Sequence, residues 1–367
     1  MQEQLERILF LTNLPTPYRV DFYNAFSQYC HLTVIFEGKR FKQQKFNWID
    51  EKLFNFKYYF AEEWLNEQKI KWKILFKILQ NKYDKIVIGC YHTRTQSLLI
   101  LLLKLLGKKY IFETDGGIIP KHENIIKYLL KKRLIGGASF YLSPSKCTDD
   151  YLIHYSALPN NIYRYPFTSI RSSDVIKEIL TDEQKESIRK KLGIHNKTYF
   201  ILSVGQFIHR KGFDVLLEAM KSIHTNVTLC LIGGTPTDEY NSIIKKNNLT
   251  NIIFRPFLSK DELNEYYKAS DLFVLPTRED IWGLVINEAM AQGIPVITTN
   301  KCIAGIELIS NKKLIVPAEN YIDLGKSINY VLDNPSERHA ISEHNLRQIQ
   351  NYTIEAMAST IFKIISK

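Results

Sequence analysis

Cysteine is scarce in this chain. The 367 residues hold five, Cys30, Cys90, Cys147, Cys230 and Cys302, far apart and with no C-x-x-C pair. That argues against a disulfide scaffold or a zinc ribbon and suits a reduced cytoplasm. No apolar run approaches the roughly 20 residues of a membrane span. The longest, residues 98–106, is broken by Lys104. Residues 1–7 are polar and charged and residues 8–12 are too short for a signal core, so no secretory leader is expected. No G-x-G-x-x-G follows the first apolar run, which removes the fingerprint of a dinucleotide oxidoreductase. Zinc-finger, helix-turn-helix and RNA-binding signatures are missing, so nucleic acid is a poor partner. No His, Cys, Asp and Glu cluster has metal-ligand spacing, so no metal and no cofactor is expected. No repeat of about 20–50 residues is visible.

What is present is a strand–helix alternation long enough for two domains. Hydrophobic residues make up 45% of the chain, enough for a core in each half. Strands are expected at residues 7–12, 31–36, 56–60, 85–89, 110–113 and 139–142. Helical patterns lie at 18–29, 70–80, 93–106, 123–134 and 146–155. Residues 169–197 are polar and charge-rich and read as a connection plus one surface helix. The alternation then restarts, with strands at 200–204, 227–232, 252–254, 272–275 and 295–298. Helices are expected at 213–223, 238–247, 259–269, 284–292, 321–332 and 337–349. Ser259, Lys260, Asp261 and Glu262 form a capping box at the start of one of them. The reading is α/β, two doubly wound parallel sheets: residues 1–168 in one domain, 169–352 in the other. A last helix, residues 353–367, either crosses back to the first domain or packs locally. Ligands of such sheets bind outside the carboxyl ends of the strands, so a crevice between the two carboxyl edges is the expected site.

Charge is lopsided. Residues 1–165 hold 25 Lys and Arg against 15 Asp and Glu, nearly the whole excess of +11. Two segments concentrate it. Residues 70–79 carry Lys71, Lys73 and Lys77 beside Trp72 and Phe76, and residues 125–135 repeat the pattern. Basic amphipathic helices with large apolar residues read as elements for an anionic membrane surface. The plain alternative is a pair of core helices with snorkelling lysines.

Two motifs carry the chemistry. The first is Gly205-Gln-Phe-Ile-His-Arg210-Lys211-Gly212, after a strand and before a helix. A helix start with free N–H groups and two cations is an anion site; a solvated surface pair is the other reading. The second runs from Leu275 through Asp280, Ile281, Trp282, Gly283, Leu284 and Glu288 to Gly293 and Pro295. Its two carboxylates stand eight positions apart around a glycine turn, and carboxylates accept hydrogen bonds from sugar hydroxyls. Glu288 lies among apolar residues, which requires a polar partner.

This second segment resembles the E-x7-E region of the retaining glycosyltransferases of family four, which have the two-domain GT-B fold of Rossmann-like domains facing across a cleft. The glycine loop resembles the same family's phosphate-binding motif. The resemblance is strongest over residues 200–310. It implies that Arg210 and Lys211 hold the donor diphosphate, that Glu288 meets the donor ribose, and that Asp280 and its adjacent backbone meet the transferred sugar. One departure stands out: the first acid is Asp280 and not Glu, with Glu279 just before it. Gly233, Gly234 and Arg255 follow strands and are expected along the same donor wall, with Gly205.

The N-terminal half is then expected to hold the acceptor. Asn13, Tyr18 and Arg19 follow the first strand, where prolines stand in place of the family's frequent glycines; Arg19 is a candidate for an acceptor phosphate. His92, Glu113 and Asp115 follow later strands and are candidates for orienting or deprotonating an acceptor hydroxyl. The expected activity is retaining transfer of a sugar from a nucleoside-diphosphate donor to a glycan hydroxyl. The expected acceptor is a lipid-linked precursor of a surface polysaccharide, met on the cytoplasmic face of the membrane. A nucleotide-sugar epimerase of similar fold and a non-catalytic nucleotide-sugar binder are the open alternatives.

Overall fold

A computed structural model describes residues 5–41, 50–89, 91–194 and 198–367. Cys90, residues 1–4 and residues 195–197 of the charge-rich connection lie outside the described residues. The chain divides into two compact units, Met1–Arg171 with Thr353–Lys367, and Ser172–Tyr352.

The described residues of the first unit form seven parallel strands: β1 Arg7–Thr12, β2 His31–Phe36, β3 Lys57–Phe60, β4 Lys85–Gly89, β5 Ile111–Glu113, β6 Phe140–Ser143 and β7 Ile162–Arg164. Their order is β3-β2-β1-β4-β5-β6-β7, so the winding reverses between β1 and β4. Register follows the apolar runs: Ile8 lies opposite Leu32 on one side and Lys85 on the other. The central strands are buried on both faces, as a covered parallel sheet requires. The crossovers are α1 Pro17–Phe26, α2 Trp72–Gln80, α3 Arg94–Leu105, α4 Ile125–Ile135 and α5 Lys146–His154. Pro17 opens α1, where a missing N–H costs nothing and φ is already set.

The described residues of the second unit carry α6 Asp182–Leu192 and then six strands: β8 Tyr199–Val204, β9 Val227–Ile232, β10 Ile252–Arg255, β11 Leu272–Leu275, β12 Val296–Thr299 and β13 Ile315–Val316. Their order is β10-β9-β8-β11-β12-β13, all parallel, with the reversal between β8 and β11. The helices are α7 Phe213–Met220, α8 Asp238–Lys246, α9 Lys260–Ala269, α10 Leu284–Ala291, α11 Ile303–Leu308, α12 Tyr321–Asp333 and α13 Pro335–Ile349. The capping box at Ser259 and Glu262 is formed in both directions. A second one, Thr181 with Gln184, opens α6. That helix is fastened through buried Arg189, whose guanidinium donates to Asp271 at 2.6 Å and to the Ala269 carbonyl at 2.8 Å.

The last helix, α14 Ile354–Ile365, belongs to the first unit. Its Phe362 stacks on Tyr29 and meets Phe26 edge-on, against the outer side of α1. Ile354 donates its N–H to the Ile170 carbonyl at 2.8 Å.

The basic helix α2 differs from its sequence reading at one residue. Lys71 is buried just before the helix, with its ammonium 3.1 Å from buried Glu37 and 2.9 Å from the Asn66 carbonyl. It is an interior ion pair, not part of a lipid-facing surface, because Glu37 demands a cation inside the unit. Trp72, Lys73 and Phe76 do face outward.

Candidate functional site

In the second unit the two motifs follow β8 and β11, the neighbouring strands at the reversal point. Such a point is where a doubly wound sheet opens a ligand crevice. The loop after β8 makes a short turn over His209–Lys211 and ends at Gly212, whose φ is 68°. A Cβ there would fall 2.1 Å from the Pro276 carbonyl oxygen, so only glycine allows the close approach of the two loops. The loop after β11 ends at Gly283, with φ of 102° and space for no side chain beside Cys302.

The loops are joined by hydrogen bonds. The Arg210 carbonyl accepts from the Arg278 N–H at 2.8 Å and from the Thr277 hydroxyl at 2.9 Å. The Arg210 guanidinium donates to the Glu279 carbonyl at 2.8 Å. Lys211 Nζ lies 2.5 Å from Asp280 Oδ2, with Arg210 Nη1 3.6 Å from the same oxygen. Lys211 and Asp280 are largely buried, at 13% and 11% side-chain exposure, and the Lys211 stem lies over Gly205. Glu279 points to solvent. Of the two adjacent acids, it is therefore Asp280 that joins the cations.

Glu288 is half-buried on α10 and accepts from the Tyr267 hydroxyl at 3.0 Å, the polar partner its setting requires. Burial, and then the Glu288 charge, push the Tyr267 phenol far up, so it stays a donor. Gly233 and Gly234 follow β9, with the Gly233 N–H on the Arg255 carbonyl at 3.0 Å. The Arg255 guanidinium is engaged by the Tyr266 hydroxyl at 2.9 Å. Ile281 is exposed and Leu284 half-buried. Trp282 is a core residue: its ring is buried, its indole N–H donates to Asn287 at 2.8 Å, and its carbonyl accepts from Ala304. Its side chain is therefore a packing element of the second unit.

In the first unit, Asn13 follows β1, His92 follows β4 and Asp115 follows β5, while Glu113 is the last residue of β5. Arg19 does not present its charge to an incoming phosphate. It is buried, with Nη1 2.7 Å from Glu113 Oε1 and Nη2 on Asp115 Oδ1. Tyr18 donates to the other Asp115 oxygen at 3.1 Å. One guanidinium thus bridges two carboxylates, the buried Glu113 and the part-exposed Asp115, and gives the buried acid the partner it requires. Burial raises the Glu113 carboxyl, against the pull of Arg19, and its Oε2 has no partner among the described residues. Asn13 accepts from Gln96 at 2.7 Å. His92 is open to solvent on one side and meets the Tyr91 ring on the other, tilted by 31° with centroids 4.9 Å apart. Partial burial, aided by Lys131 and opposed by Glu67 and Asp115, holds its imidazole below the ordinary value.

The sequence does not single out Tyr267 beside Glu288, Thr277 and Arg278 between the two loops, or Asp214, which takes both Nη groups of Arg278. Thr277 and Arg278 lie inside the quoted motif and only needed to be asked what they bond. Asp214 and Tyr267 lie on helices and gave no local signal. Among the described residues, no group of three or more His, Cys, Asp and Glu is placed to hold a metal ion. Among the same residues, no helix is long and apolar enough to cross a membrane.

Residues 184–348 match the family model of glycosyl transferases group 1. The D-inositol 3-phosphate glycosyltransferase of Corynebacterium aurimucosum is 24% identical over 261 residues, 66% of this chain and 60% of that protein. The lipopolysaccharide glucosyltransferase WaaG of Escherichia coli is 27% identical over 158 residues, 42% of this chain and 41% of its own. In both, the match spans less than two thirds of the relative's length. Anabaena Alr3699/HepE, solved in complex with UDP, superposes with a TM-score of 0.81 over 98% of this chain and 99% of that one, at 16% identity. The two Rossmann-like sheets and the superposition give this chain the GT-B fold, and its residues 184–348 are similar to the glycosyl transferases group 1.

Proposed function

We propose that the chain is a retaining glycosyltransferase of the family-four type. It moves a sugar from a nucleoside diphosphate to a hydroxyl of a lipid-linked glycan during assembly of a surface polysaccharide. The observation that carries this reading is the meeting of Lys211, Arg210 and Asp280 at the start of α7, on the reversal point of the second sheet. The cleaved bond joins the anomeric carbon to the diphosphate, and the new bond joins that carbon to the acceptor oxygen. Negative charge grows on the departing diphosphate. Lys211, Arg210 and the N–H groups at the α7 start are fixed donors for it, the kind of preorganised stabilisation that lowers such barriers. Asp280, tethered by Lys211, serves hydroxyls of the transferred sugar, and Glu288 serves the ribose. The backbone around Gly233, Gly234 and Arg255 lines the base.

The acceptor-side groups are Tyr18, His92, Glu113 and Asp115, with Asn13 on the same strand edge. Arg19 acts by holding Glu113 and Asp115. His92, kept neutral, is suited to accept a hydroxyl proton. Support for a lipid-linked acceptor comes from α4, which turns Ile125, Ile126, Leu129 and Leu130 to solvent beside Lys127, Lys132 and Arg133. It also comes from the name of the lipopolysaccharide glucosyltransferase among the relatives. Such a surface suits an anionic membrane on its cytoplasmic side.

The direct experiment offers the protein a panel of UDP-, GDP- and ADP-sugars with lipid-linked glycan acceptors and reads released nucleoside diphosphate and glycosylated product. Acceptor-dependent release with the α-configured donor giving the α-linked product is expected. Conversion of the donor to its epimer without acceptor identifies the epimerase instead. Binding without either reaction identifies a sensor.

A further inference from the structure

The two donor loops share one further residue, Arg278, and it sits where a wrong charge would do most harm. Its Nε donates to Glu319 at 3.0 Å, its Nη1 to the His209 carbonyl at 2.7 Å and to Asp214 at 2.9 Å, and its Nη2 to the second Asp214 oxygen at 2.6 Å. Its own N–H holds the Arg210 carbonyl. Asp214 lies in the first turn of α7. A carboxylate there suits the helix dipole, yet it occupies the same positive end that a diphosphate needs. It is the fork of Arg278 that meets both of its oxygens, the geometry in which a guanidinium neutralises a carboxylate most completely. The same side chain grips the His209 carbonyl, one residue before the two cations.

We propose that Arg278 is a positioning residue of the donor site, acting through Asp214 and the 209–210 backbone. It cancels the carboxylate at the mouth of α7 and fixes the turn that presents Arg210 and Lys211. Arg278 is itself spoken for by Asp214, Glu319 and two carbonyls, so it acts on the diphosphate indirectly. This rests on the donor-site reading given above. It makes an unusual demand: the damage done by losing Arg278 is electrostatic in large part, so removing Asp214 as well repairs it.

The test is calorimetric binding of UDP, GDP and ADP, with uridine, guanosine and adenosine as phosphate-free controls, to the full chain at low salt. With whichever diphosphate wild type binds, Arg278→Ala is expected to weaken binding by about tenfold or more, the scale of a lost charge-assisted pair. The matching nucleoside should bind all variants alike. Arg278→Ala combined with Asp214→Asn should recover to within about threefold of wild type, and Asp214→Asn alone should bind at least as tightly as wild type. An Arg278→Ala protein with wild-type affinity overturns the proposal, as does a double variant no better than the single. If Arg278→Ala does not fold, Asp214→Asn decides, and weaker diphosphate binding by that variant is the overturning result. A wild-type chain that binds none of the three diphosphates overturns the donor-site reading and this proposal together.

Discussion

Lys211 and Asp280, 69 positions apart in sequence, form an ion pair at 2.5 Å where the loops after β8 and β11 meet. The pair is mostly buried, so water does little to screen it. A diphosphate drawn to Lys211 therefore competes with a carboxylate already there. Asp280→Asn removes the competitor and keeps the shape. Its expected effect is tighter binding of the nucleoside diphosphate product together with slower turnover. Lys211→Ala is expected to lower kcat/KM by about tenfold or more, ~1.4 kcal/mol of transition-state stabilisation. Product affinity that falls in Asp280→Asn would mean that Asp280 helps to hold the diphosphate and does not oppose it.

The neighbouring acids give a second prediction. Asp280 is tethered to the cations, and Glu279 offers them only its carbonyl. Turnover should fall more in Asp280→Ala than in Glu279→Ala, by about tenfold. If Glu288 meets the donor ribose as proposed, Glu288→Gln should raise the donor KM with a smaller change in kcat, because such a contact binds ground state and transition state alike. The reverse order for residues 279 and 280 moves the sugar-facing acid by one position.

A third concerns pH. The His92 imidazole is held below its ordinary value, chiefly by partial burial. It is therefore neutral at pH 7 and gains its proton only as pH falls below about 6.5, the value of a free imidazole. If His92 accepts the hydroxyl proton, kcat/KM stays level from about pH 8 through that value and declines beneath it. In His92→Asn the rate is lower and the decline is gone. An acid limb that survives the substitution belongs to another group, and Glu113 is then the next to replace.

How much of this was legible in the sequence depends on distance along the chain. β4, β9 and β11 have the bounds the sequence predicts because an apolar run closed by glycine or proline is a local signal. β7 and β13, three and two residues long, and the six-residue α11 are too short to carry a period. The meeting of the loops after β8 and β11 is legible because each motif is contiguous. Arg19 and Lys71 were misread for the opposite reason. Each sits on a helix start that looks like surface, and each is claimed by a carboxylate far away, Glu113 for one and Glu37 for the other. Periodicity says which face of a helix is apolar. It does not say that a distant acid needs a cation, and that need decides where these two side chains go.

The last prediction follows from that correction and concerns the membrane. Lys71 is inside the first unit, so its loss tests folding: breaking a buried pair costs about 3–5 kcal/mol. The surface that remains is on α4, where Ile126 is 74% exposed and Ile125, Leu129 and Leu130 are more than half exposed. Lys127, Lys132 and Arg133 flank them in solvent. Apolar side chains turned outward beside cations are costly in water and suited to an anionic bilayer, where each basic residue contributes about 1 kcal/mol within a Debye length. Sedimentation with liposomes separates the contributions. Binding should require anionic lipid and weaken at high salt. Lys127→Gln, Lys132→Gln and Arg133→Gln together should abolish the salt-sensitive part. Leu129→Ser with Leu130→Ser should weaken what persists in salt, and Lys73→Gln on α2 should have the smaller effect. Lys71→Gln should lower the melting temperature and leave the lipid dependence of the folded protein unchanged. A wild-type chain that ignores anionic liposomes at low salt removes the membrane from the reading, and a soluble glycan then becomes the acceptor to test.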